Sequence, residues 1–152
     1  MQIAHYIGML HRALEATAAA FREVGSAHGD EPDVADTCAY LAGLADGQAD
    51  ALRPFIDRYG EEPEDEPERL HSELFKGTRE GPLALLRDLQ DLFLMANECD
   101  IVWTLVGQAA QGLRDEELVQ VVTSCEGDTS RQISWLRSRM KQAAPQALVV
   151  VR

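Results

Sequence analysis

Apolar residues recur three and four positions apart through most of the chain, which is the spacing of helices that each bury one face. Ile3, Ile7, Leu10, Leu14, Thr17, Phe21 and Val24 form the first stripe and predict a helix over 2–25, ended by Gly25, Ser26 and Gly29. Val34, Cys38, Leu41, Ala45, Gln48, Leu52, Phe55 and Tyr59 form the second, over 31–59, entered at Asp30-Glu31-Pro32 and left at Gly60. Pro54 removes one backbone hydrogen bond there and predicts a kink near the last turn. A third helix, over 82–112, carries Leu85, Leu89, Leu92, Ala96, Cys99, Trp103, Val106 and Ala110, with a second apolar row of Leu94, Ile101 and Leu105. The fourth, over 115–143, places Asp115, Glu116 and Glu117 at its positive dipole end and carries Leu118, Val122, Cys125, Thr129, Ile133, Leu136 and Met140. Pro145 lies beyond that end, and residues 147–151 predict an extended tail docked against the helices.

The short first and last connections predict antiparallel hairpins, whereas the 60–81 segment is long enough to cross a bundle of ~40 Å helices, leaving the middle helices parallel. Within this crossover Glu61–Pro67 is acidic and Pro-punctuated, and Pro67–Phe75 has the makings of a short helix. The expectation is one all-α four-helix bundle domain over 1–152.

Composition sharpens this picture. A hydrophobic fraction of 45% with only 6% aromatic residues favours helix packing over strands. A formal charge of -12 and a pI near 4.6 oppose binding to nucleic acid or anionic lipid. No apolar run approaches the ~20 residues of a membrane span and no leader pattern opens the chain, so a cytoplasmic protein without membrane partners is expected. Cys38, Cys99 and Cys125 lie far apart and predict reduced core thiols. There is no phosphate loop, nucleophile elbow or CxxC pair.

Two helical hairpins, a long crossover and the helix end Leu52-Arg53-Pro54-Phe55 make the chain resemble the ferritin-like superfamily, nearer to small bacterial bundles than to cage-forming ferritins. The resemblance implies a Glu from each of the first and third helices and Glu-x-x-His from each of the second and fourth, converging on two metal ions. Glu15 matches the first position, Glu98 the third-helix position and Glu126 the carboxylate of the fourth. Ala45 and Gln48 stand where Glu and His are expected on the second helix, and Thr129 replaces the fourth helix's His. Asp46 and Asp50 lie off the stripe. A Glu-x-x-His at Glu68-Arg69-Leu70-His71 falls in the crossover and reads as a solvated surface.

Glu15, Gln48, Glu98, Glu126 and Thr129 are therefore expected to form a polar core layer without an imidazole. Each has a plainer reading. Glu15 lies beside Arg12 and Arg22, Gln48 suits a hydrogen-bonded core amide, Glu98 falls within an apolar arc, and Glu126 has Arg131 and Arg137 within reach. Two functions follow. The first is a non-catalytic interaction or structural bundle, a homodimer that has lost the di-iron site; the resemblance implies bacterial stress physiology, and the absence of both His implies no cofactor. The second is a metal-binding redox protein in which Glu15, Glu98 and Glu126 hold Fe or Mn, since oxygen ligands favour hard cations over Zn or Cu.

Overall fold

Four helices carry the chain in the computed structural model, which describes residues 1–60 and 74–150. They are α1 (Ile3–Ala27), α2 (Pro32–Tyr59), α3 (Ala84–Gly112) and α4 (Glu116–Pro145), the last continuing into a wider π-wound turn, Gln146–Val150. No strand occurs among the described residues, and no helix there is long and apolar enough to cross a membrane. The acidic Glu61–Pro67 run, most of the possible Pro67–Phe75 helix and Glu68-Arg69-Leu70-His71 lie outside the described residues. Leu74 and Phe75 are non-helical and half-buried.

The stripes meet in two apolar clusters. One joins Ile3, Ile7, Leu10 and Leu14 of α1 to Leu52 and Phe55 of α2, Trp103 and Val106 of α3, and Leu118 and Val122 of α4. The other joins Phe21 and Val24 to Val34, Cys38 and Leu41, Leu89 and Leu92, and Leu136 and Ala143. Each cluster thus takes the N-terminal half of two helices and the C-terminal half of the other two. Burying a Leu, Ile or Phe contributes ~1.5–3 kcal/mol, so these faces dominate the driving force for folding.

Several local expectations change. Gly25 does not break α1: a Cβ there would stand 3.1 Å from the Cys38 Cβ, so the glycine serves a close approach of α1 to α2 within a continuing helix. On α3 the stripe Leu89, Leu92, Ala96, Cys99 and Trp103 is the buried face, and the second row, Leu94, Ile101 and Leu105, is exposed outside it. The C-terminal segment is not extended through Val150, and only Ala147 of it packs against the core. Pro145 lacks only an N–H, so the turn continues past it, and Leu148, Val149 and Val150 face outward at 65%, 78% and 62% exposure.

At the start of α4, Asp115 accepts from Leu118 N at 3.1 Å, Arg58 Nη1 at 2.7 Å and Tyr59 Oη at 2.5 Å. Burial works against the charge, but hydrogen bonds from Tyr59, Arg58 and Leu118 outweigh it and hold the carboxyl below its ordinary 3.8. A depressed carboxyl stabilises the fold above its unfolded pKa, and that contribution disappears as pH falls through its folded value. Asp115→Asn keeps a capping side chain but not the charge, so it should melt below wild type at pH 7 and converge with it as pH falls below the ordinary carboxyl value. A gap that stays constant with pH would contradict the assignment.

At Gly107 a Cβ would meet Val122 Cγ1 at 2.9 Å, whereas Gly127 has nothing within 4 Å. Both substitutions to Ala gain helix propensity of up to ~1 kcal/mol. Gly107→Ala also overpacks a stiff β-branched neighbour at a cost of ~1–3 kcal/mol. Denaturant titration should therefore find Gly127→Ala stabilised and Gly107→Ala destabilised.

A buried polar girdle as candidate functional site

Three of the four helices interrupt their apolar stripe near the middle. Thr17 stands between Leu14 and Ala20 on α1, Gln48 between Ala42 and Leu52 on α2, and Thr129 with Gln132 between Cys125 and Leu136 on α4; all four polar residues are buried. They form a girdle between the two apolar clusters.

Its centre is the Gln48 side chain, 1% exposed, whose Oε1 accepts from Trp103 Nε1 at 2.9 Å and from Thr129 Oγ1 at 3.2 Å. The indole N–H can only donate, so it fixes which end of the amide faces it. The Thr129 hydroxyl also lies 3.0 Å from the carbonyl oxygen of Cys125 on its own helix. One amide oxygen thereby joins α2, α3 and α4. On the α1 side, Thr17 Oγ1 donates to Ala13 O at 2.7 Å and lies 3.7 Å from Cys99 Sγ. Gln132 Nε2 donates to Leu41 O at 3.0 Å, tying α4 to α2 once more. Gln48 Nε2 has no hydrogen-bond partner among the described residues.

Of the five residues expected to cluster, only Gln48 and Thr129 are joined by a hydrogen bond. Glu15 is exposed, its Oε1 2.8 Å from His11 Nδ1, because it sits one position past Leu14 and so turns out of the core face that Thr17 occupies. Glu98 is half-buried at the rim of an apolar groove between α1 and α3, not in the girdle. Glu126 is half-buried; Arg131 pairs with Asp128 and Arg137 stacks over Phe93. Among the described residues no group of three or more His, Cys, Asp or Glu is placed to hold a metal ion, so Glu15, Glu98 and Glu126 do not form the carboxylate centre that the redox reading requires.

Burial pushes the thiols of Cys38, Cys99 and Cys125 up to about 12, and none is in a disulfide. Thr17 tempers the effect at Cys99 without reversing it. A thiol in that range is not a nucleophile at neutral pH.

The other buried polar cluster lies at the far end of the bundle. Asp88, fully buried on α3, has Oδ2 2.8 Å from His28 Nε2 and accepts from Arg79 N at 3.2 and 3.3 Å and from Arg79 Nη1 at 3.0 Å. Arg79 Nη1 also lies 2.9 Å from Asp91 Oδ2. The pairing spans 60 residues in sequence and was not legible beforehand; the usable signal was two carboxylates, Asp88 and Asp91, set between Leu85 and Leu92 on an otherwise apolar arc. Its contacts tie the crossover's end and the α1 terminus to α3, which makes it a fastening. Comparison of the chain with protein-family models, curated proteins and solved structures finds no match.

The girdle's geometry yields a direct test. Gln48→Leu should leave the buried Trp103 N–H unsatisfied at a cost of ~1–3 kcal/mol, while in a Trp103→Phe background the same change should cost much less. A double-mutant cycle should return a coupling of ~1–2 kcal/mol; strict additivity would show that the contact contributes nothing.

Proposed function

We propose that this protein is a non-catalytic, ferritin-like four-helix bundle whose metal positions are taken by neutral hydrogen-bonding groups, leaving a scaffold for interaction with another protein surface. The two core clusters support the topology, since their membership runs α1 and α4 one way along the bundle and α2 and α3 the other, which makes two antiparallel hairpins joined by the crossover. The observation that carries the reading is the Trp103–Gln48–Thr129 contact. At mid-bundle, where the resemblance implies carboxylates and imidazoles, the buried groups are an amide, an indole, hydroxyls and thiols, with Ala45 fully buried beside them. A neutral amide oxygen is a weak ligand for transition metals, and this one already accepts two hydrogen bonds. The fully buried Trp103 also fills the space with an apolar ring.

Thermal melting with and without anaerobic Fe(II) or Mn(II) tests this. Ligands that bind only the folded state raise its melting temperature, and none is expected here, with elemental analysis of the purified protein finding far less than one metal per chain. The Gln48→His/Thr129→His variant is the positive control, because its imidazoles replace groups that touch at 3.2 Å. Adding Co(II) to it should raise the melting temperature and quench Trp103 emission. An upshift of several degrees in the wild type would overturn the reading.

A further inference from the structure

The thirteen residues Ile101 to Leu113 contain no charged side chain, in a chain of which 26% is Asp, Glu, Lys or Arg. This is no buried segment: Ile101 and Leu105 are 60% and 48% exposed, and Thr104, Gln108 and Gln111 are exposed beside them. Leu94, 51% exposed, extends the row one heptad toward the N-terminus, giving a ridge at 94, 101 and 105 on the outer side of α3, with the half-buried Glu98 between Leu94 and Ile101. Alongside it Tyr6, Met9, Leu94, Ile101, Val102 and Leu105 line an apolar groove of about 380 Å³ between α1 and α3.

We infer that this face binds a second copy of the chain, a reading that names the partner of the interaction scaffold proposed above. Charge selects the occupant. Two copies carrying -12 each repel wherever their acidic surfaces meet, and along this face the row 94, 98, 101 and 105 holds a single carboxylate, the half-buried Glu98. A basic partner would gain little from one half-buried carboxylate, whereas interface centres between like chains are depleted of charge and rich in large apolar side chains. Size agrees: from Leu94 to Gly112, at 1.5 Å per residue, the helix offers about 27 Å, enough for a standard contact of ~800 Å² per partner. An antiparallel two-fold pairing centred between Ile101 and Leu105 sets Ile101 of each copy against Leu105 of the other. Leu94 then faces Gly112, whose missing side chain lets the helices close, and no carboxylate meets its own symmetry mate.

Sedimentation of the full chain from about 5 to 200 μM, at low and high NaCl, tests the inference. A species of twice 16.8 kDa is expected, and it should strengthen with salt, because salt screens the repulsion between acidic copies while an uncharged contact loses nothing. Ile101→Glu, which places two carboxylates near the axis, should raise the dissociation constant ~100-fold or more. Because Ile101 is exposed, that variant should keep the wild-type circular dichroism and Trp103 emission, which separates loss of association from loss of fold. Val149→Glu, on the exposed C-terminal turn, should leave the dimer intact. A monomer throughout, association that weakens with salt, or dissociation by Val149→Glu and not by Ile101→Glu would each overturn the inference. Metal binding by the wild type would sink the non-catalytic reading and leave this interface standing.

Discussion

One carbonyl oxygen organises the middle of this bundle. Gln48 Oε1 takes hydrogen bonds from an indole on α3 and a hydroxyl on α4 while its own backbone belongs to α2. Apolar stripes alone specify which faces of four helices turn inward, but they tolerate a shift of one turn along the axis, because Leu replaces Leu at the next level. A buried polar contact does not tolerate it. Sliding α2 by one turn would set Ala45 or Leu52 opposite Trp103 and strand the indole N–H away from water.

The girdle also explains why the core divides in two. The clusters above and below it are apolar and make no directional contacts, whereas Thr17 with Cys99, Gln48 with Trp103 and Thr129, and Gln132 with the Leu41 carbonyl are directional pairings. At the far end the buried Asp88, held by His28 and Arg79, plays a comparable part with charged groups and fixes where the crossover re-enters the fold. Both devices depend on residues distant in sequence, so both are products of the assembled bundle and not of any single helix.

That distinction governs what was legible beforehand. The four helices were, because periodicity is a local property and the stripes of α1 and α2 are buried almost residue for residue. On α4 the stripe held, with Ile133 partly buried against the core, but the buried Gln132 beside it was not foreseen, because its partner is the distant Leu41 carbonyl. Glu15 was read inward because its type matched a motif, yet Leu14 and Thr17 carry the stripe past it and leave Glu15 outside. Trp103 was correctly a core residue, but nothing local announced that its N–H needed Gln48. The tail misled because Pro145 looked like a stop, although a proline in a final turn deletes one donor and leaves the chain free to wind on.

A neutral girdle also needs no counter-ion. A mid-core set of carboxylates is tolerable when a cation compensates it; without one, each buried charge is expensive to desolvate and its neighbours repel it. Amides, hydroxyls and an indole keep the directional pairing of such a layer while removing the need for an ion. Glu15, Glu98 and Glu126 accordingly stay exposed or half-buried. Neutral pairing at the level of the girdle thus sets the alignment of the helices there without burying a charge among its members.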